Sequence, residues 1–405
     1  MAFPTRAPAR ILFSLAAVAI SGCATIEDFM GARAGVAESS TRATAVAPLA
    51  RRPQLEPISR NYFVLESPDQ RVVGEPQIVF TNADNTLSDL AREYGLGYDE
   101  LVAANPEVDP WLPGEGTAVL LPTQYILPEG HRRGVVLNLA SKRLFYFPQA
   151  SAGESAQVLT YPIGIGRVGW ETPLGAARVV AKATDPTWYV PWSVRQEHAE
   201  AGDPLPSIVP PGPDNPLGRH VLQLDMPGYL IHGTNKPYGV GMRVSHGCIR
   251  LYPENIERLY SIIEIGEPVT IINEPYLVGR RDGELYFEGH APLEDDAIAA
   301  DERLQKLLGS IDSESAALLS EKEQNHARAI ASEAAGVPVR LREADAFEIY
   351  SRARVVRNTV QPDPDVPTLA EVRELLDAPA DAVGGSSNSG DDGPDGPSAG
   401  NGLSE

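Results

Sequence analysis

Cysteine is almost absent from this chain of 405 residues: there are two, Cys23 and Cys248. A disulfide-stapled scaffold is therefore excluded, and so are the multi-cysteine metal modules. Basic charge is also scarce. Against 55 acidic side chains stand 34 basic ones, a formal charge of -21, which would repel a phosphate backbone and leaves no basic stripe for nucleic acid. Nucleic-acid binding is not expected. Long apolar runs are missing too: the longest candidate, Ile11 to Ile20, is too short to span a bilayer as a mature helix. What the chain does have is a hydrophobic fraction of 42%, enough for at least one real core, and a length suited to two or three domains.

The short apolar run has another reading. Arg6 and Arg10 precede it and Ile20-Ser21-Gly22-Cys23 follows, the order of an export signal. The last four residues resemble the lipobox of bacterial lipoproteins, in which the cysteine is acylated and becomes the new N-terminus. That resemblance implies a leader over 1–23 and a lipid anchor at Cys23, each buried methylene of the acyl chains adding about 0.8 kcal/mol of membrane affinity. Ala24, rather than an aspartate, implies passage to the outer membrane, with the protein on the periplasmic side. An ordinary cleaved signal with an incidental cysteine is the alternative. Acylation of Cys23 would leave Cys248 as a lone thiol in an oxidising compartment, and its neighbours His246, Gly247 and Arg250 are not core-forming residues.

Five further regions are expected. Residues 24–72, rich in Ala, Arg, Pro and Ser without periodicity, read as a flexible tether. Over 77–122 the order is strand, helix, helix, strand: Ile78 to Phe80, a helix with Leu87, Leu90, Ala91 and Tyr94 on one stripe and a stop at Gly95, a second helix from Tyr98 to Ala104, and Ala118 to Pro122. This β-α-α-β order, with Asn85-Thr86-Leu87 and Ala104-Asn105-Pro106, resembles a LysM module, which implies binding of N-acetylglucosamine polymers. Asp84-Asn85 stands where the family has Gly-Asp. Residues 134–275 read as mainly β, with runs at 135–139, 143–147, 157–161, 177–180, 221–224 and 269–272 punctuated by Gly and Pro, and one clear helix from Pro253 to Ile263. Residues 276–377 read as a hairpin and helical extension, with Leu304, Leu307, Leu308, Ile311, Leu318 and Leu319 as buried candidates and a short helix at 369–376. The tail 378–405 has almost nothing to bury and should be disordered.

The chemistry concentrates around Cys248. Thiolate attack needs a base nearby and donors aimed at the oxygen that becomes charged. His232 and His246 are the candidate bases. His246 is two residues from the sulfur, too close to align its ring nitrogen readily, whereas His232 arrives from a separate strand end and is preferred. Gly247 permits close approach of a substrate carbonyl, and the N–H groups of Gly247 and Cys248 could form an oxyanion hole. Arg250, on the same alternating face as Cys248, suits a fork-like contact with a substrate carboxylate, with a structural ion pair as the alternative. A zinc site from His232, His246 and Cys248 lacks a fourth ligand in the pattern, so no metal and no cofactor is expected.

These residues carry a resemblance. His232-Gly233, then Ser245-His246-Gly247-Cys248 followed by Ile249-Arg250, together with 162–166, 171–175, Gly212 to Gly218 and Asn235 to Gly239, are similar to the Gram-negative L,D-transpeptidases with a YkuD-type catalytic domain. The resemblance covers roughly 77–342. It implies a mainly β catalytic domain, sandwich or barrel-like with one or more helices, beside the β-α-α-β LysM-like module and a helical C-terminal extension. It also implies acyl transfer on peptidoglycan stem peptides: Cys248 as nucleophile, His232 as proton donor and acceptor, the Gly233 carbonyl orienting that imidazole, and Ser245, His246 and Arg250 lining the donor pocket. Tyr229 and Tyr238 are expected to shape the entrance. The acceptor stays open between a diaminopimelate amine, the C-terminal lysine of an outer-membrane lipoprotein, and water. A non-catalytic protein tethering membrane to glycan is the reading from another class.

Overall fold

The computed structural model describes residues 46–361 apart from positions 47, 59–60, 68, 131, 151–152, 315–318 and 343–347. The leader with Cys23, most of the N-terminal tether, Leu318, the helix expected at 369–376 and the acidic tail lie outside the described residues.

One curled sheet of nine strands organises the larger, mainly β region. In chain order these are β1 (Tyr62–Val64), β2 (Gly134–Asn138), β3 (Arg143–Phe147), β4 (Gln157–Pro162), β5 (Gly175–Thr184), β6 (His220–Leu224), β7 (Leu230–His232), β8 (Ile249–Arg250) and β9 (Pro268–Ile272). In space they run β1-β4-β3-β2-β9-β5-β6-β7-β8. Neighbours are antiparallel except β9 with β2 and β7 with β8. The inward positions Val135, Leu137, Leu144, Tyr161, Val179, Leu222, Ile231, Ile249 and Ile271 form a single core. Helix α1 (Trp192–Glu200) lies in the long β5–β6 connection and α2 (Pro253–Ile262) closes the core. Proline sits at the first turn of α2, where its missing N–H costs nothing, and Ile256 and Leu259 are buried beneath it. The fold is thus mainly β, as the patterning implies.

Three features depart from the sequence-level expectation. The region read as tether is not free over its whole length: Phe63 pairs with Val158, so the chain adds an edge strand to the sheet before it reaches the β-α-α-β unit. Three residues are too few for a periodic signal. Helix α1 buries only Val194, so it has no apolar stripe to read. The C-terminal extension is more than a hairpin and helices. Beyond the hairpin Tyr276–Arg281 and Glu284–Gly289 and the helices Ala300–Glu314 and Glu321–Glu333, strand Val339–Arg340 pairs with the hairpin, and strand Arg354–Val356 runs back to the N-terminal unit.

That unit has strands Gln77–Phe80 and Ala118–Leu121 flanking helices Leu87–Glu93 and Tyr98–Ala104. Thr86 and Asp89 cap the first helix reciprocally, and Leu87, Leu90, Ala91 and Tyr94 are fully buried. Arg354–Val356 pairs in parallel with Gln77–Phe80 as a third strand, placing Val356 in the unit's core.

The unit is fused to the nine-stranded sheet. Arg143 of β3, 1% exposed, meets Glu100 at 2.5 Å with its guanidinium 4.2 Å above the Tyr125 ring. Leaving either partner alone would strand a buried charge. Arg92 and Glu254 form a bidentate pair across the same junction, both contacts 3.1 Å. At Gly241 (φ +85°) an added Cβ would lie 2.3 Å from Gly97 Cα, so the two backbones touch, and the Tyr98 N–H donates to the Val240 carbonyl at 3.2 Å.

Candidate active site

Strand register brings the site together. In the parallel pair β7–β8, Ile231 lies opposite Ile249 and His232 opposite Arg250. Both isoleucines point into the core, 0% and 1% exposed. Side chains alternate along a strand, so Leu230, His232, Cys248 and Arg250 share the other face. A two-residue strand pairing thus places the thiol, the imidazole and the guanidinium on one surface.

His232 is buried, 4% exposed. Its Nδ1 lies 2.6 Å from the Gly233 carbonyl oxygen. A carbonyl only accepts, so the proton resides on Nδ1 and Nε2 carries the lone pair. Burial, then the positive charge of Arg250, pushes the imidazole down to about 3, against the opposing pull of the Gly233 and Leu217 carbonyls. His232 is therefore neutral at neutral pH. Cys248 is the free cysteine among the described residues. Burial raises its thiol above the ordinary range, opposed by the Leu230 N–H and the charge of Arg250, and its Sγ lies 3.6 Å from the Gly228 carbonyl. At rest the proton stays on sulfur.

Arg250 has no carboxylate partner among the described residues, and its Nε makes no hydrogen bond. The structural ion pair considered for it is not what the geometry displays. Burial lowers its pKa, opposed by Cys248 and Tyr238.

Ser245 builds the turn that presents the sulfur. Buried at 2% exposure, its hydroxyl accepts from the Gly247 N–H at 3.2 Å and donates to the Cys248 carbonyl at 2.6 Å. The Gly247 N–H, expected as an oxyanion donor, is engaged by Ser245. Gly247 is still required as glycine. At φ +98°, a Cβ there would meet the Tyr229 ring at 3.0 Å and the Trp170 and Glu171 carbonyl oxygens at 3.5 Å. Ser245 accordingly acts on the turn from within.

His246 is engaged by two charged side chains. Its Nε2 lies 3.1 Å from Arg167 Nη2 and 3.2 Å from Glu197 Oε2, so one partner or the other occupies it in either tautomer. Trp170 packs edge-on at 4.8 Å. Burial lowers its pKa, helped by Arg167 and opposed by Glu197. Tyr229 is half-buried against Gly247 with its hydroxyl 3.5 Å from the Glu171 carbonyl. Tyr238, in the turn Pro237–Gly239, is 61% exposed.

Sequence reading missed several contributors. Arg167 and Glu197 pair with each other and with His246, but neither sits in a recognisable spacing with it. Thr172 donates to the Gly247 carbonyl at 2.8 Å. Asn215, 1% exposed, donates to the carbonyls of Pro186 and Pro210 at 2.8 and 3.1 Å, and accepts from the Leu217 N–H at 2.9 Å. It thereby fixes the loop whose Leu217 carbonyl faces His232. The stretch 212–218 carried the only signal for it. Among the described residues no three or more His, Cys, Asp or Glu side chains gather as a metal site, and no helix is long and apolar enough to cross a membrane.

Residues 132–271 match the family described as the L,D-transpeptidase catalytic domain. The probable L,D-transpeptidase YbiS of Escherichia coli K12 is 40% identical over 235 residues, 57% of this chain and 75% of that protein. The probable L,D-transpeptidase YcfS of the same strain is 40% identical over 243 residues, 58% of this chain and 75% of that protein. The catalytic domain of the Enterococcus faecium L,D-transpeptidase, determined by NMR, aligns at 23% identity over 36% of this chain and 100% of that chain, with a TM-score of 0.26.

Proposed function

This chain belongs to the L,D-transpeptidases, cysteine-dependent acyltransferases with a YkuD-type catalytic domain, and we propose that Cys248 is the residue acylated by a peptidoglycan tetrapeptide stem. The observation that carries this reading is the β7–β8 register, which sets His232, Cys248 and Arg250 on one face with the His232 lone pair on Nε2. As Sγ attacks the diaminopimelate carbonyl, a C–S bond forms and the thiol proton passes to His232 Nε2. The Cys248 N–H faces the developing oxyanion. Collapse breaks the C–N bond, and the same proton leaves on the amine of D-alanine. An acceptor amine then attacks the thioester and forms a C–N bond; its proton passes through His232 to the sulfur as the C–S bond breaks, which regenerates the thiol.

A raised thiol and a lowered imidazole make a preformed ion pair unfavourable, so proton transfer accompanies attack. Arg250, without a carboxylate partner, is suited to the carboxylate of the donor. Binding that anion would also offset the Arg250 charge, the lesser of the two causes that hold His232 so weakly basic. The acceptor in this reading is another diaminopimelate or a lipoprotein lysine, on an enzyme anchored through Cys23 in the periplasm. Water as acceptor leaves the same donor half-reaction.

Incubation of the purified protein with tetrapeptide-rich sacculi, with and without a lipoprotein acceptor, followed by mass spectrometry of the muropeptides, tests this. D-Alanine release with amine-linked products is expected, and hydrolysis alone would identify the water-using alternative. A carbapenem should form an adduct with the wild type and none with Cys248→Ala; no adduct with either would favour the tethering alternative.

A further inference from the structure

The segment from Gly166 to Thr172 is bound to the turn that carries Cys248. Thr172 Oγ1 accepts from the Gly166 N–H at 3.3 Å and donates to the Gly247 carbonyl at 2.8 Å. The Arg167 N–H donates to the Ser245 carbonyl at 3.1 Å. The two backbones also touch, since a Cβ at Gly166 would lie 3.0 Å from Gly247 Cα. A shift of this segment is therefore a shift of the turn, and with it of Sγ and the Cys248 N–H.

The segment is anchored in its turn from outside the matched domain. Arg243 lies on the short strand Arg243–Ser245, which pairs with Ile165–Gly166, and donates from Nε to the Gly166 carbonyl at 3.0 Å. Its Nη2 is 2.5 Å from Asp295 Oδ2, the two side chains being only 14% and 22% exposed. The hydrogen bond from Arg243 holds the Asp295 carboxyl below the usual carboxylate range, so the pair is charged at neutral pH. Asp295 stands beyond the matched stretch 132–271, in the connection between the hairpin and helix Ala300–Glu314. The neighbouring Asp296 ties down the same connection by other contacts, accepting from Arg303 Nη2 at 2.7 Å and from Asn273 Nδ2 at 3.1 Å. Two adjacent carboxylates thus have separate tasks: one fastens the extension, and the other reaches a guanidinium that holds the Gly166 carbonyl. A guanidinium is a rigid planar fork, so a carboxylate on one nitrogen sets the direction in which the others donate.

We infer that Asp295 is a positioning residue for Cys248: it orients Arg243, Arg243 holds the Gly166 carbonyl, and the segment so placed fixes the turn of the nucleophile. The C-terminal extension acts on the active site through this one side chain. The inference rests on the acyl-transfer reading for its reaction.

Asp295→Asn keeps the size of the side chain and removes its charge. In the full chain it should lower kcat for D-alanine release at least about tenfold, because small misplacements of a reacting group are costly, with KM for the tetrapeptide within about twofold of wild type. Asp295→Glu should recover most of the rate. Asp296→Asn, which loosens the same connection, should lower Tm while kcat stays within about twofold of wild type. Beside Arg243→Gln, Asp295→Asn should have no further effect on kcat, since the two act in series. Arg243→Lys, which keeps the charge and loses the fork, should lower kcat alike and serves if Asp295→Asn fails to fold. Alkylation of Cys248 by iodoacetamide needs no donor peptide; its rate should change at least about threefold in Asp295→Asn and less than about twofold in Asp296→Asn. A wild type that released no D-alanine would count against the acyl-transfer reading and leave this alkylation comparison to decide the inference. A lower Tm in Asp295→Asn with kcat and alkylation both unchanged would reduce the pair to a structural tie and overturn it. So would an effect of Asp295→Asn undiminished beside Arg243→Gln.

Discussion

His232 and Arg250 occupy paired positions on adjacent parallel strands, a buried base beside a half-buried cation. The pairing means that the guanidinium works against protonation of the imidazole, and burial does so more strongly. The pH behaviour of the protein follows from that neighbour relationship.

An imidazole pushed down to about 3 remains a competent base in mildly acid solution. D-Alanine release should hold its plateau from pH 7 to 5, where a base with the ordinary value near 6.5 would lose about twenty-five-fold. A limb centred between pH 6 and 7 in the kcat/KM profile would contradict the assignment of His232. Arg250→Met removes one of the depressing causes, so the acid limb should move upward.

Stability carries the same signature. The folded pKa lies below the unfolded one, so the unfolded chain binds the proton first. The stability associated with neutral His232 is complete above about pH 6.5 and is lost as pH falls towards 3, at about 1.4 kcal/mol per pH unit once the unfolded imidazole is charged. Urea midpoints of the wild type and His232→Gln should converge on acidification across this window. A constant difference between pH 7 and 4 would refute it.

For Arg250, replacement by lysine keeps charge and loses the planar fork. KM for the tetrapeptide donor should rise about tenfold or more while alkylation of Cys248 by iodoacetamide changes little. An unchanged KM would mean that the donor carboxylate binds elsewhere.

Ser245→Ala deletes both hydrogen bonds that shape the turn at Cys248 and leaves the Gly247 N–H buried without its partner. A loss of about 1–3 kcal/mol is expected, visible as a lower Tm, with thiol alkylation altered in the same variant. If stability and thiol reactivity both match the wild type, the turn is maintained by Thr172 alone.

Gly241→Ala would drive a methyl group into the Gly97 backbone at a positive φ. Something must shift, and the junction is the place where it can. The variant should gain a protease-sensitive site near residues 235–243 and lose stability, whereas Ala at exposed Gly153, which meets no neighbour, should open no such site.

Much of this was legible beforehand because it is local. The runs 135–139, 143–147 and 269–272 are four or five residues long and mostly apolar, and the Ser245-to-Arg250 string carries its chemistry in order. The preference for His232 over His246 rested on chain geometry; the contacts of His246 with Glu197 and Arg167 were not part of it. What could not be read is non-local. Glu197 reaches His246 from a helix with one buried residue, and the Gly247 N–H is engaged by a hydroxyl two residues away through a turn that no periodicity encodes. Strands of two or three residues, such as Tyr62–Val64 and Arg354–Val356, are too short to announce themselves.

The third strand of the N-terminal unit has a consequence for the order of folding. Gln77–Phe80 is translated early, but Arg354–Val356, which covers its free edge, leaves the ribosome only after the whole catalytic domain. Until then the unit presents an open, apolar strand edge, the kind of surface on which chains associate wrongly. Its completion is a late, long-range closure that should be slow relative to the local helices. Truncation before residue 354 should thus yield a protein whose fault is aggregation during biogenesis, even where the catalytic sheet is intact.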